Sequence, residues 1–345
     1  MERLAVGLVF YAMVEGRIRC AVLGYGPALN WGKAHCDFIK STEGLELTAI
    51  CDADPKRVEA AKRDFPEAKT FTDLGKMLRG KVDLVTVVTP HNTHAPLALQ
   101  CLEAKKHVIV EKPMCLTAEE ATQMIDAARK AGVTLTVFHQ RRHDGDFLAI
   151  RDVLQKGLIG DVFHVEAFLG GYAHPGYWWR SDKKVSGGAF YDWGAHLLDW
   201  VLNLIPGRVL GVNGYFHKCV WKDVTNEDQV EATLRFDSGA VVDVQISSIA
   251  RAGKPRWRIL GAEGALVDEG GGKFHVFTGL QGYEARLEVK YQQSDWPAYY
   301  RNIAAHLLQG AELDVKPEEA RRVVAIIEAA EKSALTGKTE TVPYE

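Results

Sequence analysis

Short apolar runs and helical patterns alternate along the first part of the chain. Ile18 to Leu23 reads as a strand that stops at a glycine cluster, and Leu45 to Cys51 as a second that ends at Asp52. Pro55 to Phe65 has helical spacing, with Asp54 placed as N-cap and Pro55 at the first helical position. Val82 to Val88 is almost wholly apolar, as expected of a central parallel strand covered on both faces. His94 to Ala104 is helical, His107 to Val110 is strand-like, and Thr117 to Ala131 is a helix opened by a Thr117/Glu120 capping box. Gly132 ends that helix and Val133 to Phe138 is a further strand. This alternation predicts a parallel, doubly wound sheet.

Beyond it the period changes. Residues 147–157 look helical, and Val162 to Leu169 alternates with period two. A tryptophan-rich loop and a helix over about 188–203 precede strands at Gln229 to Phe236, Ala240 to Ser247, Trp257 to Leu260, Ala265 to Asp268 and Lys273 to Phe277. The pattern is that of a large, mainly antiparallel open sheet. A last helix runs from Pro317 to Thr336 and is closed by Gly337. The expected architecture is α/β: a Rossmann domain over 1–141, with 1–16 as an appendage, then an α+β domain over 142–345 for substrate and oligomerisation.

Composition narrows the function. A chain of 345 residues, 47% hydrophobic and 25% charged, has core enough to fold without a metal or disulfide staple. Its net charge of −3, with no long block of either sign, argues against a nucleic-acid footprint and a polybasic membrane patch. Six cysteines without a C-x-x-C pair read as free thiols of a reducing compartment, here the cytoplasm. The apolar stretch at residues 4–14 is too short to span a bilayer and lacks a small-residue cleavage site. It reads as a short appendage, or as an upstream start with Met13 as the natural initiator.

The first candidate chemistry is a nucleotide site. Gly24 and Gly26 follow the first strand, where glycines let a tight turn and its backbone approach a pyrophosphate at a helix N-terminus. The usual third glycine is displaced: Leu29 stands in its place, and Gly32 fits only if three residues are inserted. Pro27 and Ala28 belong to the same loop. Asp52, 28 residues after Gly24, ends the next strand, where a carboxylate accepts ribose hydroxyls and repels a 2′-phosphate. NAD is therefore expected over NADP, although Lys56 and Arg57 follow closely enough to tolerate a phosphate. Thr89, Pro90 and His94, and then Glu111 and Lys112, occupy the carboxyl ends of two further strands, where open α/β sheets bind ligands. An ammonium at Lys112 would stand beside a low-dielectric crevice.

The second domain offers a proton-handling set. Asp192, His196 and Asp199 fall at i, i+4 and i+7, so a helix puts an imidazole between two carboxylates on one face. No metal is implied, since the histidines lack ligand spacing.

With Gly24-x-Gly26, Thr89-Pro90 with His94, Glu111-Lys112-Pro113 and Asp192-x-Gly194-x-His196-x-x-Asp199 in this order, the sequence resembles the Gfo/Idh/MocA family of NAD(P)-dependent oxidoreductases over about residues 17–337. That resemblance implies a homodimer or homotetramer formed through the C-terminal sheet. It also implies that Lys112 hydrogen-bonds the reacting oxygen, His196 takes the hydroxyl proton, and Asp192 orients one or the other. The longer glycine loop departs from the family pattern. Aromatic and forked polar groups ahead of the helix (Trp178 and Arg180, with Arg142 at the domain junction) suit a polyhydroxylated ring such as a sugar, sugar acid or inositol. Two other readings are an NAD-dependent glycosidase that oxidises C3 transiently and a non-catalytic protein that senses a nucleotide or sugar.

Overall fold

The structure, a computed structural model, describes residues 16–345; the apolar stretch at 4–14 lies outside the described residues. The first sheet contains β1 (Ile18–Leu23), β2 (Leu45–Cys51), β3 (Lys69–Phe71), β4 (Leu84–Val87), β5 (His107–Val110) and β6 (Leu135–Val137). All pair in parallel in the order β3-β2-β1-β4-β5-β6. This is the doubly wound order whose direction reverses between β1 and β4, which opens a crevice at their carboxyl ends. Connecting helices cover its faces: α1 (Trp31–Ser41), α2 (Pro55–Asp64), α3 (Leu74–Leu78), α4 (His94–Glu103) and α5 (Ala118–Ala131). The expected caps are present. Asp54 accepts from the Lys56 N–H, and Thr117 and Glu120 form a reciprocal capping box.

A 3-10 turn over Gln140–His143 leads into α6 (Gly145–Gln155) and the second sheet. Its strands are β7 (Val162–Gly170), β8 (Val209–His217), β9 (Gln229–Phe236), β10 (Val241–Ser247), β11 (Trp257–Gly261), β12 (Gly264–Asp268), β13 (Lys273–Leu280) and β14 (Tyr283–Lys290). They pair in the order β14-β13-β12-β11-β7-β10-β9-β8, antiparallel except for β7 with β10. Between β7 and β8 lie α7 (Lys183–Ser186) and α8 (Ala195–Leu204); α9 (Pro297–Gln309) and α10 (Pro317–Thr336) close the chain.

Besides the short β3, α3 and α7, each of five residues or fewer, two longer strands and one longer helix escape the sequence pattern, each for a physical reason. β8 carries Gly214 because α10 crosses it closely: a Cβ there would collide with the carbonyl oxygen of Ala330. The outermost strand, β14, is exposed along most of its length and so has no buried face to mark it. Helix α9 folds back onto the first sheet, where Tyr299 and Tyr300 are fully buried and bond Thr136 and Thr86. The division at residue 142 is therefore not a clean cut, because residues 297–309 pack against the first unit. Among the described residues no helix is long and apolar enough to cross a membrane.

Candidate active site

The glycine loop is built for close approach. Gly24 leaves β1 with φ +107°, and a Cβ there would strike the Val88 carbonyl. Around Gly26 nothing lies within 4 Å of such an atom, so the loop is open on that side. The inserted residues turn the chain through left-handed conformations at Leu29 and Asn30. Gly32 then takes the third glycine's task, since any side chain on it would run into the backbone at Gly24 and Tyr25. No side chain caps α1, which leaves the amides of its first turn available to an anion. Asp52 steadies the loop: its Oδ2 accepts the Tyr25 N–H at 2.6 Å and its Oδ1 the Asp54 N–H at 2.9 Å.

A cavity of about 600 Å³ runs from this loop toward the second domain. Gly26, Pro27, Ala28 and Asp52 line one end, Thr89, Pro90 and His94 the middle, and Glu111, Lys112, Trp178 and Arg180 the other. The open glycine cradle, the uncapped helix and the strand-end acid fit a dinucleotide. A larger concavity of about 840 Å³, at Arg17, Arg19, Lys69, Lys76 and their neighbours, contains none of the candidate catalytic residues.

His94 ties the middle together. One ring nitrogen lies 2.8 Å from the Pro113 carbonyl and the other 2.8 Å from that of Thr89. His91, in the same loop and given no role by the sequence alone, bonds the Ser186 carbonyl through Nδ1 and keeps a buried Nε2 without a partner among the described residues. Burial, then the neighbouring positive groups, hold His91 well below the usual imidazole range.

At the far end the two domains meet. Lys112 Nζ donates to Asp192 Oδ1 at 2.6 Å and to the Asp192 carbonyl at 2.9 Å. Arg180 Nε lies 3.5 Å from the same Oδ1, and its guanidinium stacks on Trp179 and Trp178, 4.3 and 5.0 Å from their ring centres. Burial works against the charge of Asp192, but Lys112, Arg180 and His91 outweigh it and hold the carboxyl far below its ordinary range. A wide π-type helical turn over Phe190–Gly194 presents Asp192; such turns recur at functional sites. Gly187 and Gly188, both at positive φ, deliver the chain to it.

His196 follows on α8, buried, with Nδ1 unpartnered among the described residues. Burial, then the charges of Lys112, Arg141 and His139, drive its value well below the usual range, so the ring is neutral. Beside it Arg141 sits between Trp193 and Trp296, 4.8 and 5.4 Å from their ring centres.

Two expectations are corrected. Asp199 does not flank His196 as a second site carboxylate. It receives Arg142 through both oxygens, Nε at 2.9 Å and the terminal nitrogen at 2.6 Å. Arg142 accordingly does not reach the cavity: it is buried, with its remaining nitrogen on the Asp314 carbonyl and Glu319. The i+7 spacing put Asp199 on the right helix, but the partner supplied from residue 142 turned it into a structural ion pair. Glu111 lines the cavity, yet its carboxylate is taken by His35 and the Lys112 amide.

A dinucleotide fold whose crevice ends at an amine shared with the next domain is the plan of a nicotinamide-dependent oxidoreductase. The chain belongs to the Gfo/Idh/MocA family. Residues 18–139 match its oxidoreductase, NAD-binding Rossmann-fold model, and residues 147–267 match the GFO/IDH/MocA C-terminal domain. It is 29% identical to scyllo-inositol 2-dehydrogenase (NADP(+)) IolW of Bacillus subtilis over 93% of this chain and 95% of that one. It is 28% identical to the scyllo-inositol 2-dehydrogenase (NAD(+)) of the same organism over 73% and 74%. The solved structure of the putative oxidoreductase yvaA from Bacillus subtilis superimposes with a TM-score of 0.86 at 27% identity, covering 95% of this chain and 99% of that one. The protein is thus an NAD(P)-dependent oxidoreductase of a sugar- and inositol-oxidising family.

Proposed function

We propose that the protein oxidises, or in reverse forms, a secondary alcohol of a sugar, sugar derivative or inositol. The observation that carries this is the Lys112–Asp192 pair, an ammonium fixed across the domain junction at the end of the cofactor cavity. The nicotinamide, when bound, supplies or accepts the hydride. Lys112 donates a hydrogen bond to the reacting oxygen and stabilises its alkoxide character. Asp192 aims the amine, and Arg180 shares that carboxylate. His196, held neutral, accepts the hydroxyl proton on an unpartnered ring nitrogen. Trp178 and Arg180 border the substrate, with Trp193 and Trp296 as further aromatic surface. NAD is the preferred cofactor because Asp52 faces the cavity. Exposed Phe163, Tyr215 and Phe277 on the second sheet support assembly of a homodimer or homotetramer through that layer, read by light scattering.

The test is incubation with NAD or NADP and a panel of inositols, aldoses and sugar acids. Accumulation of reduced nicotinamide with one polyol supports the reading. Release of aglycone from an aryl glycoside without accumulation selects a glycosidase, and no turnover on the whole panel removes the proposal.

A further inference from the structure

The first domain holds a largely buried hydrogen-bonded chain that the proposed reaction does not use. His35, on α1, has no exposed surface. Its Nε2 lies 3.1 Å from Glu111 Oε1, and its Nδ1 lies 2.7 Å from the hydroxyl of Tyr300 on α9. The proton positions follow from the partners. An ionised carboxylate only accepts, so Nε2 carries a hydrogen, and in the neutral tautomer that this leaves Nδ1 is the acceptor. Tyr300 must then donate to Nδ1, and its oxygen takes the hydrogen of the Thr86 hydroxyl at 3.3 Å. Burial pushes the Tyr300 phenol well up, which keeps it a donor. The second oxygen of Glu111 accepts the Lys112 N–H at 2.9 Å. Every hydrogen from Thr86 to Glu111 thus points one way, and the last acceptor clasps the backbone of Lys112.

We propose that His35 and Tyr300 are positioning residues for Lys112. Neither touches substrate. They hold the Glu111 carboxylate, and that carboxylate fixes the peptide from which the Lys112 amine reaches Asp192. This rests on Lys112 being the group at the reacting oxygen. Remove the His35 donor and a largely buried carboxylate loses one of its two protein partners, so it must protonate, turn or bond water from the cavity instead. The Lys112 amide then loses its acceptor, and displacement of a reacting group by about 1 Å costs on the order of a hundredfold in rate. The device also explains why α9, from the end of the chain, is buried in the first domain: Phe38 and Tyr300 stack at 5.9 Å and Phe138 lies 4.3 Å from the His35 ring, shutting water out of the chain of bonds.

His35→Leu and His35→Gln test it on the full chain; the glutamine keeps an N–H for Glu111 and an oxygen for Tyr300. The readouts are NADH affinity by fluorescence, kcat and KM on the polyol that the panel identifies, and acetylation of Lys112 by acetic anhydride followed by mass spectrometry. The expected result is a fall in kcat of tenfold or more in His35→Leu, with the Kd of NADH within threefold, a changed rate of Lys112 acetylation, and recovery of most of the kcat in His35→Gln. A kcat within twofold of the parent overturns the proposal. So does a joint loss of turnover and NADH binding that glutamine fails to rescue. Should His35→Leu not fold, Tyr300→Phe replaces it and is read by the same criteria of kcat, NADH affinity and acetylation. Lys112→Ala separates the two levels: if it keeps its turnover, the function reading fails, whereas an inactive Lys112→Ala beside a fully active His35→Leu removes only the positioning role.

Discussion

Lys112 and Asp192, eighty residues apart, are joined by a 2.6 Å hydrogen bond that brings the first domain's strand end to the π-type turn of the second domain. Lys112 and Arg180 hold the Asp192 carboxyl far below its ordinary range despite its burial, so it has no proton to lend. On the proposed reading the proton therefore travels by another group, the neutral His196. Lys112→Met should keep the fold and the Kd for NADH while lowering kcat by about 10²- to 10⁴-fold. Stopped-flow turnover beside fluorescence titration measures both; unchanged turnover removes the amine from the reaction.

Asp52 has two tasks, holding the loop through the Tyr25 and Asp54 amides and presenting a negative charge to the cavity. Asp52→Asn keeps an acceptor and removes the charge. With Arg57 lining the same cavity, the ratio of kcat/KM for NADP over NAD should rise by tenfold or more, about 1.4 kcal/mol. A ratio that stays where it was places the acid away from the ribose.

How far the sequence reaches is visible residue by residue. Strand ends are legible, because an apolar run that stops at Asp52, Thr89 or Glu111 marks the carboxyl edge of a parallel sheet, and ligands bind there. The helix carrying His196 is legible from its spacing, although Asp192 falls on the π-type turn ahead of it. What spacing cannot say is which group arrives from elsewhere in the chain: Arg142 took Asp199, and Tyr300 took His35 from 265 residues away. Glycine hides elements in two opposite ways. At Gly32 it marks a close approach displaced by an insertion, and at Gly214 it interrupts a strand's alternation because a helix needs the room.

The Arg142–Asp199 pair makes a prediction about stability rather than substrate. Removing one partner of a buried, doubly bonded pair leaves the other's charge uncompensated, so Arg142→Ala should cost about 3–5 kcal/mol. Arg142→Met combined with Asp199→Leu should recover most of that. Urea unfolding followed by circular dichroism reads both. If instead Arg142→Ala unfolds like the parent and raises only KM, the arginine belongs to substrate after all.

His139 sets the acid side of stability. It is buried with Nδ1 unpartnered among the described residues, 3.8 Å from an Asp199 oxygen, and burial brings it down to about 4 against an ordinary 6.5. Between those values the unfolded chain binds a proton that the folded one refuses, so unfolding gains ground as pH falls through that window and the effect levels off below about 4. At about 1.4 kcal/mol per unit the full effect is roughly 3 kcal/mol for this one ring. His91, His94 and His196 are displaced in the same direction and add to it. His139→Asn should leave stability at pH 7.5 within about 1 kcal/mol and flatten the loss between pH 6.5 and 5, as measured by urea midpoints at each pH. An unchanged slope in that variant would mean that His139 takes up its proton without unfolding and that the other rings carry the whole acid response.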